Sequence, residues 1–132
     1  MKKQFFIFMA FMTVSLMTNF AAAQEVEGYI QGFNCVTTGK SCPAGKEDPV
    51  IATERIFVLY IGKNAYYFVP NLDRGIMARH LGKKVRITGD TDPKYKSIKA
   101  KSLQVQENGT WKTTWSEEME RDAARALNIT GF

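Results

Sequence analysis

Hydrophobic and polar residues alternate over several short stretches of the chain, which is the pattern of half-buried β-strands. Residues 83–88 (KKVRIT) show the alternation most clearly, because Val85 and Ile87 share one parity and basic side chains flank them. Residues 56–61 (IFVLYI) are continuously apolar, and residues 65–69 (AYYFV) form a second apolar run after a short turn, so the two predict a hairpin. The chain is therefore predicted to be mainly β.

Further strands are predicted on both sides of this central region. Residues 26–36 (VEGYIQGFNCV) are interpreted as a bent first strand, and residues 37–53 as a long loop pinned by the cysteines. Residues 95–106 (YKSIKAKSLQVQ) predict two strands or one bulged strand, because the apolar parity changes near residues 101–102. Residues 111–115 are long enough for one further short strand.

Two segments have helical features. Residues 71–81 (NLDRGIMARHL) follow helical spacing, with Asn71 as the predicted N-cap and Gly82 as the stop. Residues 116–127 form the second predicted helix, which is opened by a capping box that begins at Thr114.

Residues 1–23 have the features of a secretory signal peptide. Two lysines precede an apolar stretch and three alanines follow it, so cleavage is predicted after Ala23. An uncleaved membrane anchor is disfavoured, because polar residues 18–19 end the apolar run before the ~20 residues that a span requires. We therefore expect a periplasmic or secreted protein with no membrane span after cleavage.

Composition and charge narrow the functional classes. The 132 residues are 45% apolar and 23% charged, which excludes a wholly disordered chain. Two cysteines are too few for a disulfide-dense miniprotein, and one histidine is too few for a multi-histidine metal centre. Loss of the leader removes two lysines and no acidic residue, so the formal net charge falls from +5 to +3. The sequence contains no Gly-x-Ser-x-Gly, His-Glu-x-x-His or phosphate-loop motif, which favours a non-enzymatic protein.

The predicted order of elements is strand, long loop, two strands, short helix, two strands and C-terminal helix. Residues 82–90 (GKKVRITGD) look like the Gly-x-x-Val-x-Ile/Val-x-Gly fourth strand of oligonucleotide/oligosaccharide-binding (OB) barrels. Residues 66–89 (YYFVPNLDRGIMARHLGKKVRITG) resemble small exported bacterial OB-fold proteins. The resemblance covers about residues 26–107 and implies a five-stranded Greek-key barrel with a short helix between strands 3 and 4. The predicted divisions are a signal peptide (1–23), an OB-like barrel domain (24–115) and a C-terminal helix with its tail (116–132).

The cysteines and the histidine each have a structural and a chemical interpretation. Cys35 and Cys42 are predicted to form a disulfide in an oxidising compartment, with a thiol-exchange or metal-binding pair as the alternative. His80 is interpreted as a capping or half-buried imidazole. Resemblance to periplasmic OB-fold haem chaperones implies haem or metal ligation instead, but their tail histidine has no counterpart here. Asp90 and Asp92 are interpreted as solvated turn carboxylates, with catalysis or cation binding by the pair as the alternative.

A basic stripe with nearby aromatic residues is the strongest candidate for a binding site. If the apolar side chains of the predicted fourth and fifth strands point inward, the basic side chains between them share the outer face of the sheet. Cations neutralise polymer charge while flat rings stack, which suits an anionic polymer. The alternative is a solvated face whose lysines discourage edge aggregation. The candidate binding residues are Lys84, Arg86, Lys99, Lys101, Tyr29, Tyr67 and Tyr95.

Together these features predict an exported, non-enzymatic OB-fold binding module without a cofactor. Its expected ligand is an anionic polymer or a protein partner in the cell envelope, and export excludes cytoplasmic nucleic acid. The alternative is a structural or assembly subunit that packs Trp111, Trp115 and the C-terminal helix on a partner. A haem, metal or redox carrier that uses Cys35, Cys42 and His80 is a further alternative.

Overall fold

A computed structural model describes residues 23–129 and contains one sheet of six antiparallel strands in the order β3-β2-β1-β4-β5-β6. The strands are β1 (Gln24–Gly32), β2 (Phe57–Gly62), β3 (Ala65–Tyr67), β4 (Lys84–Asp92), β5 (Ser97–Glu107) and β6 (Thr110–Ser116). The helices are α1 (Phe33–Thr37), α2 (Glu47–Thr53), α3 (Arg74–Ala78) and α4 (Glu117–Ala126). The mainly β class is therefore confirmed, whereas the predicted signal peptide lies, apart from Ala23, outside the described residues. Within residues 23–129 the helices are too short or too polar to span a membrane.

The sheet has six strands and is not closed, so the predicted five-stranded barrel stays a prediction. One isolated parallel bridge nevertheless joins Phe68, directly after β3, to Ser97 at the start of β5. In this bridge Phe68 N–H donates to the Lys96 carbonyl and Ile98 N–H donates to the Phe68 carbonyl, both at 2.8 Å. The segment after β3 therefore contacts β5 directly, although it is far from β5 in the strand order.

The strand β5 contains the predicted one-residue slip. Gly89 of β4 pairs with Ala100, and the preceding Thr88 pairs with Ser102, so Lys101 is an extra residue in β5. The slip is confirmed, and its physical effect is to keep the apolar residues on both sides of it on the buried face of the sheet. Those residues are Ile98, Ala100, Leu103 and Val105, all fully buried.

The hydrophobic core covers one face of the sheet. Its strand residues are Ile30, Phe57, Leu59, Val85, Ile87 and the four buried residues of β5. The helices, loops and β6 add Val50, Val69, Leu72, Met77, Ala78, Leu81 and Trp115. Each large aliphatic side chain buried in this way contributes about 2 kcal/mol of transfer free energy. The apolar positions of the alternating sequence pattern therefore lie on the face of the sheet that the core covers.

The prediction of one strand over residues 26–36 was wrong at its C-terminal end. The strand ends at Gly32, and α1 begins at Phe33. The carboxylate of Glu54 accepts hydrogen bonds from the backbone N–H groups of Asn34 (3.3 Å) and Cys35 (3.2 Å). These N–H groups belong to the first turn of α1, where no intrahelical partner exists. A cap 19 or 20 residues away along the chain has no local sequence signature.

The prediction of a structureless loop over residues 37–53 was also wrong. Helix α2 occupies its last part, with Glu47 and Asp48 in the first turn, where acidic side chains favour the positive end of the helix dipole. Pro49 also lies in that turn, where a missing N–H costs little. The local signals for this helix are therefore present in the sequence.

Two helix caps differ from their predicted positions. Asp73, not Asn71, is the N-cap of α3, because its side chain accepts a hydrogen bond from Gly75 N–H at 2.6 Å. Helix α3 is accordingly shorter than the predicted residues 71–81. Ser116, not Thr114, caps α4 by accepting a hydrogen bond from Met119 N–H at 3.2 Å.

Candidate functional site

The basic side chains of β4 lie opposite acidic side chains of β1. Arg86 pairs directly with Glu27 across the two strands, and its Nη2 atom lies 2.7 Å from Glu27 Oε1. Lys84 Nζ lies 3.2 Å from the other oxygen of the same carboxylate, and Arg86 Nε lies 4.0 Å from Glu25. The hydrogen bond from Arg86, followed by that from Lys84, lowers the pKa of Glu27. Two of the predicted binding cations are therefore neutralised within the protein.

The aromatic residue Trp111 of β6 further covers these two cations. The guanidinium carbon of Arg86 lies 4.2 Å from a Trp111 ring centroid, and Lys84 Nζ lies 5.7 Å from it. Such cation–π contacts add to the ion pairs and orient both side chains along the sheet. Trp115, by contrast, is 6% exposed and belongs to the core. Trp111, Trp115 and α4 therefore do not form the single exposed surface that the predicted partner contact requires.

The remaining predicted residues are spread over the molecule. Lys101 forms an ion pair with Asp90 at 3.0 Å, whereas Lys99 has no ion pair among residues 23–129. Tyr29 is 47% exposed and lies between Lys84 and Tyr60 on the neighbouring strands. The structure therefore does not unite the seven predicted residues in one free basic surface.

Cations and aromatic rings meet instead between the β2–β3 turn and the β4–β5 turn. A cleft of about 280 Å³ lies there, and we call it the hairpin cleft. Lys96 Nζ lies 5.6 Å from the centroid of the Tyr66 ring. Lys63 and Lys96 both line this cleft, and neither forms an ion pair within the part of the chain that the structure describes. The residues that line it include Ile61, Lys63, Tyr66, Tyr67, Pro93 and Lys96.

Local backbone conformation fixes both walls of the hairpin cleft. Lys63 and Asn64 have positive φ angles of 51° and 61°, the two-residue turn that matches the twist of a β-hairpin. On the other wall, Asp92 Oδ1 accepts hydrogen bonds from the N–H groups of Lys94 (2.9 Å) and Tyr95 (3.3 Å). This agrees with the interpretation of Asp92 as a turn residue that caps its own backbone. The same prediction was wrong for Asp90, which lies within β4 and forms an ion pair with Lys101. The two turns are therefore preformed.

Further aromatic residues flank the hairpin cleft. Phe33, Tyr66 and Phe68 form a triangle with ring centroids 5.4–5.7 Å apart. Tyr95 is 64% exposed, and Lys94 Nζ lies 5.1 Å from its ring centroid. Of the predicted binding residues, Tyr67 lines the cleft and Tyr95 lies in the turn that forms its wall. Lys63 and Tyr66 are not among the residues predicted from the sequence.

The cysteines and the histidine do not line the hairpin cleft. The Sγ atoms of Cys35 and Cys42 lie 2.8 Å apart, and the predicted disulfide stays a prediction. Nε2 of the partly buried His80 lies 3.1 Å from Thr114 Oγ1, whereas its buried Nδ1 atom has no hydrogen-bond partner. Among residues 23–129 no three His, Cys, Asp or Glu side chains are grouped so that they could bind a metal ion.

His80 predicts a pH dependence of stability. Burial lowers the pKa of the imidazole, Lys83 and Arg79 lower it further, and Glu107 opposes them. A group with a lower pKa in the folded state binds protons preferentially in the unfolded chain. The free energy of unfolding should therefore fall as the pH drops below the unfolded value of about 6.5, and level off below the folded-state pKa.

Urea unfolding of the wild type and of His80→Gln measures this effect. The glutamine does not titrate, so the variant should show a flatter dependence on pH between about 5 and 8, where carboxylates contribute little. Equal pH dependence in the two proteins would contradict the assignment to His80.

Comparisons of the chain with protein-family models, curated proteins and solved structures found no match.

Proposed function

We propose that the chain is an exported binding module with an OB-like barrel, and that the hairpin cleft binds an anionic polymer without catalysing a reaction. The observation that carries this proposal is the position of Lys63 and Lys96, which have no acidic partner among the described residues and lie beside Tyr66 and Tyr67. The basic residues of β4 are less suitable, because Glu25 and Glu27 neutralise them.

The strand arrangement supports the OB-like part of the proposal. Strands β3-β2-β1-β4-β5 are consecutive in the sheet, and the bridge from Phe68 to Ser97 brings the two ends of this series together. OB barrels are partly open and bind ligands on strands 2 and 3 and on the loop between strands 4 and 5. The hairpin cleft is bordered by the corresponding elements. Because a fold does not determine a function, the residues of the cleft carry the proposal.

The chemistry of the cleft suits a flexible polymer with repeated negative charges. Binding of each charge by a lysine releases a condensed counterion, which makes the affinity fall with salt. The partly buried rings of Tyr66 and Tyr67 offer flat faces on which bases or sugar rings stack, at about 1–3 kcal/mol per stacked base. Single-stranded nucleic acid and sulfated glycan both carry these features, so we use one probe of each kind.

Replacement of both cleft lysines tests the proposal. Lys63→Gln together with Lys96→Gln should weaken binding of a labelled oligothymidylate and of a heparin oligosaccharide, measured by fluorescence anisotropy. For the single-stranded probe, the slope of log affinity against log salt should decrease by about 0.7 for each lysine removed. The melting temperature should stay nearly unchanged, because both side chains are exposed.

The matched control is Lys46→Gln together with Lys112→Gln. These exposed lysines lie before α2 and on β6, and their replacement removes the same formal charge. An equal loss of affinity in the control variant would show that overall charge, not the cleft, attracts the polymer. Absence of wild-type binding to both probes at low salt would contradict the proposed function.

A further inference from the structure

A second cavity, of about 550 Å³, opens beside Cys42 and shares no lining residue with the hairpin cleft. Cys42 lines this cavity and Cys35 does not, so the two thiols differ in their access to a molecule that enters it. The lining includes Gln31, Cys42, Ile51, Arg79, Leu81 and Lys83, together with Glu47.

Two hydrogen bonds fix the position of Cys42. Gly32 N–H donates to Cys42 Sγ at 3.1 Å, and Cys42 N–H donates to Gln31 Oε1 at 2.7 Å. The sulfur atom of Cys35 lies 2.8 Å from Cys42 Sγ. The two sulfur atoms are therefore in contact before any reaction, so bond formation between them needs little movement.

A buried carboxylate, that of Glu54, contacts the backbone of Cys35. Glu54 is 5% exposed and has no ion pair among residues 23–129, although its carboxylate accepts the N–H groups of Asn34 and Cys35. Gly32 leaves room for it, since a Cβ atom at that position would lie 2.5–2.6 Å from the Glu54 side chain. Burial, followed by the proximity of Cys42 and Glu54, raises the pKa of Cys35 to about 12.

We propose that Cys42, Cys35 and Glu54 form a dithiol–disulfide exchange site whose substrate is an anionic disulfide that enters the cavity. Cys42 is the attacking residue, because it is the thiol that lines the cavity. Cys35 is the resolving residue, because it is in contact with Cys42 and carries its proton until the second step. Glu54 accepts that proton.

The first step forms a mixed disulfide. The Cys42 thiolate attacks one sulfur of the substrate disulfide, a new S–S bond forms, and the original S–S bond breaks. The released substrate sulfur leaves as a thiolate and takes a proton from solvent. No electrons are lost in this step, because one disulfide replaces another.

The second step releases the other half of the substrate. Glu54 takes the proton from Cys35, and the resulting thiolate attacks Cys42 Sγ while the mixed disulfide breaks. The departing substrate thiolate receives the proton from Glu54. The dithiol has then lost two electrons, and the substrate disulfide has become two thiols. The same steps in reverse oxidise a substrate dithiol.

Charge in the cavity selects the substrate class. Arg79 and Lys83 line it without ion pairs in the described part of the chain, whereas Glu47 contributes one opposing charge. Glu47 is turned toward the backbone, because its carboxylate accepts Gly45 N–H at 3.0 Å. A disulfide that carries carboxylates is therefore favoured over a neutral one.

Trapping experiments test the order of the two thiols. With oxidised glutathione, Cys35→Ser should accumulate a mixed disulfide at Cys42, and Cys42→Ser should form about tenfold less adduct at Cys35, measured by mass spectrometry. Iodoacetamide should modify Cys42 of the reduced wild type before Cys35. Equal reactivity of the two cysteines would overturn the assignment.

Glu54→Gln tests the proton acceptor. Glutamine retains one oxygen, which can accept one of the two N–H groups at the start of α1, so the fold should persist, which circular dichroism checks. Resolution of the mixed disulfide should slow about a hundredfold, as expected for loss of a general base, while the alkylation rate of Cys42 stays unchanged. An unchanged resolution rate would exclude Glu54 from the reaction.

Replacement of the cavity cations tests the substrate class. Arg79→Gln with Lys83→Gln should slow the reaction with oxidised glutathione about tenfold and leave the reaction with neutral bis(2-hydroxyethyl) disulfide unchanged.

Treatment of the wild type with dithiothreitol distinguishes an exchange site from a purely structural disulfide. A structural disulfide would stay oxidised in mild dithiothreitol or unfold the protein once reduced. Either of those two outcomes would overturn the exchange site without affecting the proposed polymer binding.

Discussion

Gly89→Ala is expected to lower the free energy of unfolding by about 3 kcal/mol. A Cβ atom on Gly89 would lie 2.8 Å from the carbonyl carbon of Lys99 and 3.0 Å from Ala100 Cα, and closer still to the Lys99 carbonyl oxygen. These are backbone atoms of the paired strand β5, so they cannot rotate away as a side chain could. Relief of the clash requires β4 and β5 to separate beside the Lys101 bulge.

Urea unfolding measures this loss, and Gly109→Ala is the matched control. Gly109 has a φ angle of +78° and open space around its missing Cβ, so alanine there costs only the left-handed backbone conformation, about 1 kcal/mol. If the two variants lose the same stability, the close approach of β4 and β5 at Gly89 is not what selects glycine. The Gly89 variant should also weaken polymer binding, because Gly89 lies shortly before the turn that forms one wall of the hairpin cleft.

Asn71→Ala is expected to cost about 2–4 kcal/mol, because it leaves two backbone groups without partners. Asn71 Nδ2 donates to the Ala100 carbonyl at 2.7 Å, and Ala100 N–H donates to Asn71 Oδ1 at 2.8 Å. Ala100 is fully buried, so neither its N–H nor its carbonyl can form a hydrogen bond with water instead. The side chain thus replaces a neighbouring strand and joins the segment after β3 to β5.

Asn71→Asp separates loss of the donor from loss of the acceptor. Aspartate keeps an acceptor for Ala100 N–H but places a carboxylate oxygen against the Ala100 carbonyl. Protonation restores a donor, so the folded-state pKa of the new carboxyl should be raised above its unfolded value of about 3.9. The variant should therefore recover stability as the pH is lowered and lose it as the pH rises through the folded-state pKa. Urea unfolding at several pH values checks this, and a pH-independent loss would contradict the hydrogen-bond assignment.

Strands β4 and β5 were predictable because their buried residues alternate with more exposed ones. Val85 and Ile87 alternate with polar residues, and the parity change between Ala100 and Leu103 is enough to locate the bulge from the sequence. Helix α1 was not predictable in the same way, since its first N–H groups are capped by Glu54 from a distant part of the chain.

The candidate site was predicted in part. The outward parity of Lys84 and Arg86 on their strand is readable from the sequence, but the pairing of β1 with β4 places Glu27 opposite Arg86, and Glu25 and Glu27 together neutralise both cations. No sequence pattern links Lys63 with Lys96, because the bridge after β3 that brings their turns together is a long-range contact.

Local periodicity determined the mainly β class, the buried face of β4 and β5, and the β5 slip, because these depend on residues a few positions apart. Tertiary structure alone decided which cations are free, which carboxylate caps α1, and which thiol faces a cavity. Each of these depends on strand pairing and on the contact between the segment after β3 and β5. Such contacts join residues from separate parts of the chain, and no local pattern encodes them.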